Sequence, residues 1–210
     1  MSGALVAVLV IHWPFLIGVV VGAYLGAVTV LLLVLLAIAD GSLFPRLGRA
    51  LEDEVGLELR KAPGVFAVVS GVSFAHRDVD HVVLARAGCF AVEVKATFGR
   101  RRRLHDVPEL PSKLAQAHDG ARQIQRLLAS RGVALQVTPV LILTGSGAPD
   151  MALAERHEDV LVVALRHGHA WRSKLTGLGP SLDEATAQIA ADELLDYRRQ
   201  RTDYELSHSR

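Results

Sequence analysis

The sequence predicts an α/β domain, one mixed sheet flanked by helices, carried behind an apolar segment that spans a membrane as a transmembrane helix or a helical hairpin. Three observations lead there. All 23 Lys and Arg and all 22 Asp and Glu of the 210-residue chain stand at or beyond Asp40, and His12 is the only basic side chain before it. Beyond Asp40 the patterns alternate in the order helix, three strands, helix, strand, strand, helix. One of those strands ends in Glu93 and Lys95 although it is otherwise apolar on both faces.

The first observation divides the chain into residues 1–40, a membrane anchor, and residues 41–210, a domain with the charge content of a soluble protein. As one helix the apolar run 3–39 is about 55 Å long, against about 30 Å of bilayer hydrocarbon. Two spans meeting near Gly22-Ala23-Tyr24-Leu25-Gly26 would use that length. A single span from about Phe15, with His12-Trp13-Pro14 at the interface, would leave residues 4–11 without a place. A cleaved signal is disfavoured, because no basic residue precedes the run and it far exceeds a signal core. The flank after it carries Arg46, Arg49, Arg60 and Lys61, so the positive-inside rule puts the large domain in the cytoplasm. The single Cys89 excludes an intrachain disulfide framework and a Cys-based zinc site.

The second observation follows from local signals. A helix over about 47–61 is closed by Pro63-Gly64, with Glu52, Val55 and Leu59 on one face. Residues 65–72 are β-branched and apolar, a strand. Residues 81–85 and 89–95 form a hairpin about Arg86-Ala87-Gly88. A basic turn (99–103) and a Pro-bounded loop (107–111) lead to a helix over 113–130. Residues 137–144 and 160–165 are buried strands, and Ser181-Leu182-Asp183-Glu184 reads as a capping box opening a last helix to about Gln200.

The third observation carries the chemistry. With Leu84 paired to Cys89, the register sets Val82 opposite Ala91 and Asp80 opposite Glu93, with Lys95 two residues further along. Opposed residues have Cβ atoms about 4.5 to 5.5 Å apart, where like charges repel. Either a divalent cation removes the repulsion, Mg²⁺ or Mn²⁺ suiting an oxygen-only set completed by water, or the three groups form an ion-pair cluster at the sheet edge. A one-residue slip would turn Asp80 to the other face.

The stretch from Arg77-Asp78-Val79-Asp80-His81 through Val92-Glu93-Val94-Lys95 resembles the core motif of the nuclease-related domain, a branch of the PD-(D/E)XK nuclease superfamily. That motif is an Ile-Asp-His strand, a Gly-containing turn and a Glu-Thr-Lys strand end. The likeness runs over about 50–144. Glu52 stands where the family has a helical Gly-Glu, although Leu51 replaces the Gly and Glu54 or Glu58 are alternative counterparts. Phe98-Gly99 matches the aromatic and Gly that follow the motif Lys. Pro111 to Gln116 is similar to Asn-Pro-x-x-Gln, one residue longer and without the Asn. The resemblance implies a restriction-endonuclease-like fold and a metal-dependent phosphodiesterase site acting on DNA or RNA. In it Asp80 and Glu93 hold Mg²⁺ or Mn²⁺, Lys95 orients the water or stabilises the developing charge, and Glu52 and Gln116 complete the site. A catalytically inactive binding or scaffold module on the same fold is the alternative.

Arg100, Arg101, Arg102 and Arg103 follow the motif strand and suit a nucleic-acid backbone. A solvated turn or an anionic-lipid contact would use the same residues. His81 alternates away from Asp80 and is expected to pack or hydrogen-bond. His157, His167 and His169 lack Cys or carboxylate partners at zinc spacing, Cys89 is expected in the core, and Gly145-Ser146-Gly147 has no following Lys-Ser or Lys-Thr for a P-loop.

Overall fold

A computed structural model describes residues 3–39, 43–75, 77–99, 103–148, 154–165 and 181–208. The chain forms two compact units, Met1–Leu47 and Gly48–Arg210. In the first, α1 (Gly3–Ala39) is one unbroken helix, so the hairpin reading is corrected to a single helix. Glycine costs a helix about 1 kcal/mol without breaking it, and 22–26 offers no polar turn to satisfy freed backbone groups in an apolar setting. The stretch Ile17–Ile38 is long and apolar enough to cross a bilayer, and none of it is buried. It is a candidate membrane anchor, and a signal sequence would have the same character.

α2 (Leu43–Arg60) starts before Pro45, which is tolerated in a first turn where the backbone N–H is unpaired anyway. The strands are β1 (Val65–Ser73), β2 (Asp78–Ala85), β3 (Gly88–Ala96), β4 (Val137–Thr144), β5 (Ala154–His157) and β6 (Val160–Ala164). They form one sheet in the order β1-β2-β3-β4-β6-β5. β1, β2 and β3 run antiparallel as a meander. β3, β4 and β6 are parallel, and β5 returns antiparallel as an edge. The mixed sheet flanked by helices is the expected α/β architecture. The parallel β3–β4 step requires a crossover, supplied by α3 (Leu110–Ser130).

Val55 and Leu59 of α2 pack with Val83, Phe90, Val92 and Ile142. The other layer is α3 with α4 (Glu184–His208): Ile124, Leu128 and Leu194 meet Val82, Leu84 and Ala91, while Leu110 and Leu114 meet Leu141, Leu143 and Val162. Two expectations are corrected. β5 was not expected, because Ala154-Glu155-Arg156-His157 has no apolar alternation and joins by backbone pairing alone. The cap of α4 is Asp183, whose carboxylate accepts the Thr186 N–H at 2.8 Å, rather than Ser181.

Candidate active site at the fork of two strands

β2 and β3 pair from Ala85↔Gly88 up to His81↔Val92, with Leu84 opposite Cys89 and Val82 opposite Ala91, the register the turn length predicts. Beyond that rung the ladder stops. The Val94 N–H donates to Asp80 Oδ2 at 2.7 Å, so a side-chain carboxylate takes up the strand's backbone donor where the two strands part. β3 continues alongside β4, with Glu93↔Leu141 and Lys95↔Leu143. A fork therefore opens between Asp80 on one prong and Glu93 and Lys95 on the other.

The electrostatics of the fork are those of crowded, poorly hydrated carboxylates. Glu93 is 3% exposed, and Lys95 Nζ lies 2.6 Å from its Oε1. Burial and then the nearby Asp80 push Glu93 up to about 7, against the pull of Lys95. Burial also raises Asp80, opposed by the Val94 N–H and Lys95. Glu52 is raised by burial and then by Asp80, while Lys95 and His81 lower it, so α2 brings Glu52 within electrostatic reach of the fork. No group of three His, Cys, Asp or Glu side chains gathers at metal-binding distance among the described residues. The arrangement offers two carboxylates, with Glu52 further off.

His81 is 3% exposed and ties the two carboxylate-bearing elements together. Its Nε2 is 2.9 Å from the Glu52 carbonyl oxygen, which can only accept. Nε2 therefore carries the proton, and Nδ1 accepts from the Ser70 hydroxyl at 2.9 Å. The ring lies against Gly56, where a Cβ would stand 2.7 Å from His81 Cε1. Burial lowers the His81 pKa, which keeps this tautomer neutral. The side chain thus hydrogen-bonds away from Asp80.

Gln116 is half-buried on α3, and its backbone carbonyl accepts a hydrogen bond from Arg77 at 3.4 Å. Arg77 also pairs with Asp119 at 3.3 Å, and its charge lowers Glu93. A role for Arg77 is not legible in the sequence, since one Arg before a strand carries no spacing signal. Of the basic turn, Arg100, Arg101 and Arg102 lie outside the described residues. Arg103 is exposed, and its N–H donates to Asp106 at 3.1 Å. His167 and His169 also lie outside. His157 is exposed on β5. Cys89 is buried, which pushes its thiol up to about 12, so it has no nucleophilic character.

Gly145 and Gly147 act by close approach. The Gly147 N–H donates to the Thr97 carbonyl at 2.8 Å. A Cβ on Gly147 would stand 2.6 Å from the Gly99 oxygen, and one on Gly145 2.7 Å from the Thr97 oxygen. They clamp the segment that leaves β3 just after Lys95. Two cavities run along α3, and neither is lined by Asp80, Glu93 or Lys95.

No curated protein and no solved structure matches the chain. The family comparison does find a match, and it runs from within α2 through the last residue of β4, over the elements that build the fork. Residues 47–144 match the family model of the nuclease-related domain.

Proposed function

We propose that the protein is a membrane-anchored nuclease that hydrolyses phosphodiester bonds of DNA or RNA on the cytoplasmic side with Mg²⁺ or Mn²⁺. The observation that carries this is the strand fork of a nuclease-related domain, holding Asp80 and a 3%-exposed Glu93 with Lys95 at 2.6 Å. The donor set fits the ion. Asp80 Oδ1 and Glu93 Oε2 have no hydrogen bond among the described residues, and two carboxylate oxygens with water completing the shell suit a hard divalent cation. When bound, such an ion polarises a phosphate and lowers the pKa of an attacking water.

The chain's own residues supply the rest. Asp80 and Glu93 fix the position of the ion, and the Val94 N–H orients Asp80. Lys95 is held at the fork by Glu93 and presents a cation to the developing negative charge. Glu52 completes the acidic environment from α2, Gln116 positions water or phosphate from α3, and Arg100 to Arg103 engage the flanking backbone. The Lys and Arg that follow α1 argue for the cytoplasmic side.

A second reading is favoured by the direct Lys95–Glu93 ion pair and by the lack of a three-group ligand cluster among the described residues: a nuclease-fold module that binds without turnover. One experiment separates the two. The full chain in detergent is incubated with single- and double-stranded DNA and RNA and either metal. Metal-dependent cleavage that falls at least a hundredfold in both Glu93→Gln and Lys95→Ala supports the enzyme. No cleavage of any substrate, or cleavage unaffected by Glu93→Gln, overturns it.

A further inference from the structure

Two cavities, of about 420 and 470 Å³, share His118, Arg122 and Asp159, so they form one groove between α3 and the β4–β6–β5 side of the sheet. Each half has the size of a small-ligand site. Three features show what it suits. Arg122 lines both halves and Arg156 borders one, and neither pairs with a carboxylate among the described residues. His118 lines both halves and His157 one of them, planar groups on which a base can stack. Gln136 and Thr138 offer hydrogen bonds along the second half.

Two further observations mark the groove as more than a surface crease. The described non-glycine residues with left-handed backbone are Glu109 (φ 56) and Glu158 (φ 55). Glu158 lines the groove, and Glu109 immediately precedes Leu110 and Pro111, which also line it. Such conformations cost on the order of 1 kcal/mol or more and cluster at binding sites. Arg77 links the rim of the groove to the fork. Asp119 on that rim is bonded to Arg77, which bonds the Gln116 carbonyl and whose charge acts on Glu93. From Leu110 to Gln125 the lining of the groove follows about 22 Å of helix.

We infer that this groove is a track for the sugar-phosphate backbone of a single-stranded nucleic acid leading away from the fork. Arg122 and Arg156 contact phosphates, the histidines take bases, and Glu158 and Asp159 are the opposing charges that limit affinity. The identity of the ligand rests on the nuclease-related reading; the existence of an anion track does not.

The test measures fluorescence anisotropy of a labelled thymidine 12-mer with the full chain in detergent and EDTA, so that binding is read without cleavage. The double variant Arg122→Gln, Arg156→Gln is expected to bind at least tenfold more weakly. The slope of log affinity against log salt should shrink by about 1.4, the loss of two phosphate contacts on a single strand. Asp159→Asn is expected to bind about threefold more tightly, which a structural role would not produce. Both arginines are exposed, and Arg122→Gln alone, at threefold or more, serves should the double variant unfold. Unchanged affinity in these variants overturns the inference, as does thymidine monophosphate binding as tightly as the 12-mer. Wild type that binds through these residues yet cleaves nothing with Mg²⁺ or Mn²⁺ keeps the track and sinks the nuclease reading. Cleavage by wild type, with affinity and KM unchanged in the double variant, does the reverse.

Discussion

Glu93 makes the fold sensitive to pH in a defined direction. Its carboxyl is raised to about 7 in the folded chain, chiefly by burial, and is near 4.5 when unfolded. The folded state therefore binds the extra proton between those values, and stability falls as pH rises through that window and levels off above it. The largest loss this shift allows is on the order of 3 kcal/mol. In EDTA, Glu93→Gln should melt about 3 to 6 °C above wild type at pH 8 and no higher at pH 5, read by circular dichroism. A gain of equal size at both values would place the cause in packing rather than ionisation. His81 gives a second prediction. Glutamine can still donate to the Glu52 carbonyl and accept from Ser70, whereas alanine leaves both unpaired in a buried site. His81→Ala should cost about 2 to 4 kcal/mol in urea unfolding and His81→Gln less than half of that; equal losses would show that ring packing against Gly56 dominates.

Which elements were legible in the sequence depended on whether side chains or backbone made them. The β2–β3 register was readable because a short Gly-containing turn and alternating apolar residues leave one pairing, and Leu84↔Cys89 is that pairing. The three residues of the fork followed from it, since charges at the end of an apolar strand are costly without partners. β5 was not readable, because its side chains carry no pattern. The turn after β4 is legible in Gly145-Ser146-Gly147, but its role is not, because its glycines serve contact with another backbone and leave no side-chain signal. Gly147→Ala should therefore cost about 1 to 3 kcal/mol, because the opposing atoms are main chain and cannot turn aside. It should also lower activity through the path of 97–99, while Ser146→Ala leaves both intact. A Gly147→Ala chain as stable as wild type would dismiss the clamp.

For the whole molecule, the decisive coupling is between cation and fold. Two carboxylates raised by burial, with Asp80 repelling Glu93, weaken the metal-free domain, and an ion held only by the native state adds RT ln(1 + [L]/Kd), about 2.7 kcal/mol at a hundredfold excess over Kd. Millimolar Mn²⁺ should raise the melting temperature of the full chain. Asp80→Asn should melt no lower than wild type in EDTA yet lose most of that rise. Calorimetry giving the same shift in both proteins would mean that Asp80 and Glu93 share no cation, and the ion-pair reading of the fork would stand instead.

The short edge strand has a consequence for how copies of the chain meet. A sheet grows where an edge presents a long, flat row of free backbone groups to another chain. β5 presents four residues, and Glu155, Arg156 and His157 are exposed along it. An incoming strand would have to align its own backbone against a charged stub that ends after one and a half pleats, at the Glu158-Asp159 turn. The polarity that hid this strand from pattern reading thus insulates the sheet against polymerising through that side, even where many copies crowd together.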